Sequence, residues 1–184
     1  VTLARGQVAE FLTNGPFIVK SQDDPHPFYM SAHMTGAESF DPNQTDGRGD
    51  AEFVNVIPPG EYMQSYVLFA DPTYPETNLV VVRVKGPSGY KDVNLDCMGT
   101  LKDWLAVGKS GKYEYTRVDL SRHNFQGQNG CNNGRHEMRS VGAFGVTVWG
   151  WGSHETDPGF YSQYVSYAYP AGASVLPIND VTAV

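Results

Sequence analysis

The most constraining feature of this chain is residues 143–151, AFGVTVWGW, in which apolar side chains alternate. Successive side chains of a strand point to opposite faces. Phe144, Val146 and Val148 therefore share one side, and Ala143, Gly145, Thr147, Trp149 and Trp151 share the other. A helix would scatter both sets around its circumference. The aliphatic side is the natural core side, which sends the two indoles to the opposite face.

Alternating or short apolar runs recur along the chain. Residues 7–12, 17–20, 28–34, 52–57, 62–70 and 78–85 read as strands, and so do 92–96, 113–120, 136–140 and 163–169. Turn chemistry separates them. Pro58 and Pro59 lack the N–H that a ladder needs, so Pro58-Pro59-Gly60 breaks any strand. Gly86-Pro87-Ser88-Gly89 reads as a hairpin tip, and residues 126–134, QGQNGCNNG, as a long polar loop. Only residues 100–107 have room for a short helix, beside Gly99. Residues 15–21 and 134–140 share a faint repeat, too short to separate duplication from chance. About eleven short strands in 184 residues predict one all-β domain over 1–184, an antiparallel β-sandwich. The alternative is a fragment of a repeat-built β structure such as a propeller.

Charge narrows the partners. A formal net charge of −7 disfavours nucleic acid, where phosphate neutralisation dominates affinity, and anionic lipid as well. No apolar run reaches the ~20 residues that cross a bilayer, so membrane insertion is not expected. Residues 1–12 lack the basic start and apolar core of a secretory leader, as expected for a mature form or an excised piece. The two cysteines, Cys97 and Cys131, suit a single disulfide in an oxidising compartment. Closing such a loop contributes about 3–4 kcal/mol in the chain-entropy model. The competing reading is two reduced, buried thiols.

Several motifs together resemble a known family. Residues 49–59, GDAEFVNVIPP, lead into Tyr66-Val67-Leu68-Phe69. Leu95-Asp96 is followed by Trp104, and residues 113–120 carry a Tyr-x-Tyr-x-x-Val-x-Leu strand. Gly134-Arg135-His136, residues 144–150 and the closing Ser166-Tyr167-Ala168-Tyr169-Pro170-Ala171-Gly172 follow in order. This set resembles the N-terminal domain of IgGFc-binding proteins, over residues 1–173 and most clearly from Asp92 onward. The chain departs from the pattern in its cysteine pair, its 126–133 loop and its long 36–50 loop. The resemblance implies a secreted or cell-surface module that binds rather than catalyses. No motif for antibody binding maps onto these residues.

Candidate chemistry is sparse. Residues 41–52 concentrate oxygen ligands suited to Ca²⁺, with Asp41, Asn43, Asp46, Asp50 and Glu52 as the candidate set. Asp41, Asn43, Thr45 and Glu52 take EF-hand positions, but Asp46 occupies the place of the turn glycine and no flanking helices appear. A solvated acidic loop is the plainer reading. Arg48-Gly49-Asp50 is an integrin-type tripeptide of a length that recurs by chance, and Asn43-Gln44-Thr45 is a glycosylation sequon. The histidines 26, 33, 123, 136 and 154 lack zinc-ligand spacing. There is no nucleophile elbow and no phosphate loop. A glycosidase would need a pair from Asp96, Asp103, Glu114, Asp119 and Glu137 flanking a cleft. The sequence thus predicts a non-catalytic extracellular adhesion or recognition module. Its ligand would be a glycan or a surface protein, met by Trp149, Trp151 and Tyr161. The alternatives are a secreted carbohydrate-active hydrolase and a structural spacer with both indoles packed away.

Overall fold

The computed structural model describes residues 1–36, 47–157 and 159–174. Eleven strands are assigned there: β1 (Ser31–Met34), β2 (Glu52–Asn55), β3 (Met63–Ala70), β4 (Glu76–Val84), β5 (Val93–Leu95) and β6 (Gly99–Thr100). They continue with β7 (Leu105–Ala106), β8 (Tyr113–Arg122), β9 (Gln126–Gly127), β10 (Gly134–Trp151) and β11 (Ser166–Pro170). Among the described residues a 3-10 turn at Pro59–Glu61 is the other regular element, and no α-helix occurs there. The fold is all-β and every named pairing is antiparallel. A large sheet curls on itself and a two-stranded sheet, β1–β2, stands beside it, consistent with a β-sandwich.

The curl is forced by β10. Its first half pairs with β3 on one side and β5 on the other, and its second half with β11 and β4. Ala70 lies opposite Gly134, whereas Glu76 lies opposite Trp151. Residues 70 and 76 are joined by a tether that reaches at most about 20 Å. A straight strand of 18 residues would hold its ends about 56 Å apart. So β10 must bend sharply, and the register shift between Arg139 and Phe144 marks the place. The bend makes two layers from one sheet. Between them lie Tyr66 and Leu68 of β3, Leu79 and Val81 of β4, Val93 and Leu95 of β5, Val118 and Leu120 of β8, and Met138, Phe144, Val146 and Val148 of β10. The alternation read in residues 143–151 holds: Phe144, Val146 and Val148 are buried, and Trp149 and Trp151 face away, half-buried.

Several expectations are corrected. Residues 7–12 and 17–20 form no strand; they run as exposed chain without a ladder, and Val8, Phe11 and Leu12 lie open. A short apolar run supplies side chains to bury but not a strand partner. Residues 100–107 are not helical, because Gly99–Thr100 pairs with β5 and Leu105–Ala106 with β8. Residues 136–140 and 143–151 are one strand, not two. Gly86 and Gly89 do close a tight turn by mutual hydrogen bonds of 3.1 Å, but β4 and β5 do not pair across it. The faint repeat has no structural counterpart, since residues 134–140 lie in β10 and residues 15–21 in no strand.

Cys97 and Cys131 form a disulfide. Cys131 is buried against the core, so the bridge ties the end of β5 to the loop entering β10.

Phe144, fully buried at the bend, is the sharpest test of this packing. Phe144→Ala should cost about 3–5 kcal/mol in denaturant unfolding, because a cavity opens between the layers. Val141→Ala, three residues earlier and 78% exposed, should stay within about 0.5 kcal/mol. Equal losses for the two variants would rule out the bend as the place where the layers meet.

Candidate functional site

The second half of β10 ends at Trp151 and leads into the loop 152–165 that carries Tyr161. Gly152 begins this loop in a confined position: a Cβ there would come 1.9 Å from the carbonyl oxygen of Ser162. The loop therefore folds back onto its own first residue. The Gly152 N–H donates to the Val165 carbonyl at 3.0 Å, and the Gln163 side chain donates to the His154 carbonyl at 2.9 Å. The Ser162 hydroxyl donates to the Thr73 carbonyl at 2.6 Å, which ties the loop to residues 71–75. The tip stays outside, with Tyr161 97% exposed and Phe160 38%.

A second loop meets it. Between β8 and β9, His123, Asn124 and Phe125 take φ values of 48°, 58° and 69°, a left-handed run without glycine. Such conformations cost on the order of 1–3 kcal/mol each and persist where surrounding contacts enforce them. Here the Phe125 N–H donates to the Pro75 carbonyl at 3.0 Å, and the Phe125 ring lies 4.8 Å from that of Phe160. Asn133 reaches the same region, its amide donating to the Tyr74 carbonyl at 2.7 Å. Loops 71–75, 123–125 and 152–165 thus form one tied surface bearing Phe125, Phe160 and Tyr161.

The indoles are placed differently. Trp151 donates its N–H to Glu76 at 3.2 Å. Glu76 is buried and also accepts from Arg48 at 2.9 Å, with Arg122 at 3.7 Å. Arg122 is itself held by Asp119 at 3.1 Å, and that hydrogen bond raises its pKa. Trp149 sits opposite Asn78 and Ala168 on the outer face, half-buried. Among the three ring residues named from the sequence, then, Tyr161 stands free while Trp149 and Trp151 lie on the sheet. Phe125 and Phe160 escaped sequence reading, because no periodicity marks a loop that becomes a surface only through tertiary ties.

Arg48-Gly49-Asp50 is held down. Arg48 bridges to Ser153, Gly49 donates to the Gly152 carbonyl at 2.7 Å, and Asp50 donates its N–H to the Ser166 hydroxyl at 2.8 Å. Of the calcium set, Asp41, Asn43 and Asp46 lie outside the described residues. Asp50 accepts from the Ala51 N–H and Glu52 from the Phe53 N–H, each with its own carboxylate oxygen.

The carboxylates considered for hydrolysis are mostly committed to other partners. Glu114 grips Arg83 at 2.6 Å and Asp119 grips Arg122. Hydrogen bonds from Arg135 and Arg139 lower the pKa of Glu137. Asp96 lies with Cys97 and His136 in a group close enough for a metal, but Cys97 is spent in the disulfide. The His136 ring instead joins Asp96 at 2.9 Å to the Asn132 carbonyl at 2.7 Å, a brace beside the cross-link. Burial alone would raise the Asp96 pKa. The His136 hydrogen bond and the N–H groups of Glu137 and Cys97 outweigh it and hold the carboxyl below its ordinary value.

This brace predicts acid sensitivity. A carboxyl with a lowered folded pKa adds stability above its unfolded value, lost as pH falls through the folded one. Asp96→Asn should lower the urea midpoint near neutral pH, and the gap to the parent should shrink as pH falls below the ordinary carboxylate range. A gap independent of pH would remove the ionic part of the brace.

The family described as "IgGFc binding protein" matches residues 1–150. The motifs of β5, β8 and β10 fall inside this span, and the closing Ser166–Gly172 motif lies beyond it. No curated protein and no solved structure matches the chain. With most of its length matched, the chain belongs to the IgGFc binding protein family, a family of binding domains.

Proposed function

We propose that this chain is an extracellular recognition module without a chemical step, and that its ligand is a protein. The loop surface around Tyr161 is the proposed contact. The observation that carries this reading is the contrast between a ring 97% exposed and a loop base held by hydrogen bonds at Gly152, Ser162 and Gln163. Aromatic anchors on pre-ordered loops give large contact area at little entropic cost. The strained 123–125 turn beside it belongs to the kind of backbone outlier that gathers at binding sites. The disulfide supports an oxidising, extracellular setting. The family's description supports a protein ligand over a glycan.

The Trp149–Trp151 face is the second candidate, and a sugar is the ligand it would suit. Its two indoles occupy alternate positions on one strand face, and flat aromatic faces are suited to stacking on sugar rings. Trp151 is anchored by Glu76, so that platform would be rigid.

One experiment separates the two. The intact chain is tested against a panel of secreted and surface proteins that includes an antibody Fc fragment, and against a glycan array. Binding to a protein, weakened about tenfold or more by Tyr161→Ala, is the expected result. Glycan binding abolished by Trp149→Ala, with Tyr161→Ala silent, would move the site to the sheet. Protein binding indifferent to Tyr161→Ala would overturn the loop site.

A further inference from the structure

The opposite end of the molecule has a different chemistry. β4 runs from Glu76, beside the loop surface, to Val84, about 26 Å away at ~3.3 Å per residue. Beyond Val84 the turn 85–92, the turn 107–112 and the bend of β10 converge. Lys85 donates its N–H to the Lys112 carbonyl at 2.9 Å, and the Tyr90 hydroxyl donates to the Gly111 carbonyl at 2.8 Å. Lys91 lies against Gly142, where a Cβ would meet its side chain at 2.9 Å. Lys91 and Arg139 line one shallow depression with Tyr90 and Asn94. Five cations, Lys85, Lys91, Lys109, Lys112 and Arg139, thus gather at one pole of a chain whose net charge is −7.

Among the described residues the four lysines form no ion pair, although Lys112 lies 5.4 Å from the Tyr113 ring. Glu114, a partly buried acid of this end, is taken by Arg83, whose guanidinium is stacked 4.0 Å from Trp104 and 5.1 Å from Tyr90. Arg139 shares Glu137 with Arg135 and stays 77% exposed. Asp92 lines the depression as well, so an acid stands among these cations. The Lys85 ammonium lies 5.7 Å from the Tyr90 ring, so the cations flank an aromatic.

The geometry points to this pole as a binding site for a sulfated polysaccharide. Closely spaced sulfates match several cations held on short tied turns, and Tyr90 gives a sugar ring something to lie against. The acidic remainder repels the same polymer and restricts it to this pole. This goes beyond the protein-recognition reading, because the two surfaces occupy opposite ends of β4. A chain with both would bridge a protein to an anionic matrix.

The test uses the intact chain and immobilised heparin, with neutral dextran and duplex DNA columns alongside. Retention on heparin is expected at about 50 mM salt and should fall on the order of tenfold or more by about 200 mM, as charge-driven binding requires. Dextran should retain nothing. Lys91→Ala with Arg139→Ala should elute at clearly lower salt, and so should Lys85→Ala with Lys112→Ala. Arg117→Ala, at an exposed position midway along β8 and outside the depression, removes one charge and should elute close to the parent. Flow-through of the parent on heparin would overturn the site, as would Arg117→Ala matching the double variants. Equal or stronger retention on DNA would overturn the sulfated glycan as its partner. Tyr161→Ala should leave heparin retention unchanged, so failure of the loop surface and of this pole are read separately.

Discussion

The structure depends on one strand having to serve two layers. β10 carries partners on both sides along both halves, and the six-residue step from Ala70 to Glu76 forbids it to be straight. Once it bends, even-numbered residues before and after the bend, Met138 and Phe144 among them, face each other across the core. The bend therefore decides both which residues are inside and how far apart the sandwich layers stand. Hydrophobic burial holds the result, but backbone connectivity selects it. A β-strand that paired normally and stayed flat would leave Phe144 on a surface.

Bending a sheet leaves backbone groups without ladder partners, and tyrosines answer for several of them. The Tyr66 hydroxyl donates to the Phe144 carbonyl at 2.7 Å and accepts from the Met63 N–H at 3.0 Å, at the bend itself. Tyr169 accepts from the Phe69 N–H at 3.0 Å and donates to its carbonyl at 2.7 Å, standing in for a strand along β3. Tyr167 accepts from the Asp71 N–H at 3.0 Å while its ring covers Gly150, where a Cβ would lie 2.1 Å from it. Burial of these phenols raises their pKa values, so they remain hydrogen-bond donors throughout the physiological range. β3 and β11 share one side of β10 in succession, and these hydroxyls are what join them.

Much of this was legible in the sequence, and the gaps have physical causes. The face assignment at Phe144, Val146 and Val148 followed from period two alone, since one side of that strand must be dry. The disulfide was legible as one of two options for an even pair. Residues 7–12 and 17–20 carry short apolar runs of the kind that read as strands and yet have no ladder, because such a run describes side chains and not the hydrogen-bonding partner. The continuity of β10 through residues 140–143 was hidden by Gly142, which reads as a break in a chain and acts here inside a bent strand. Phe125 and Phe160 were invisible for a further reason: their meeting depends on Ser162 and Phe125 both reaching residues 73–75, a contact no local pattern encodes.

The buried Glu76 cluster sorts the aromatic residues into two roles. A carboxylate with so little water needs compensation, and it draws Arg48, Arg122 and the Trp151 N–H toward itself. Each of those groups belongs to a different segment, so the cluster pulls the 47–50 stretch, β8 and the end of β10 together at one point. Trp151 is thereby fixed with its polar edge turned inward, and the chain leaving it must start its loop from a fixed direction. Gly152 then allows the return to Ser162 that raises Tyr161 outward. The same charge that packs one aromatic against the sheet thus positions the loop that exposes another, and removing Glu76 would disturb the loop surface without touching any residue on it.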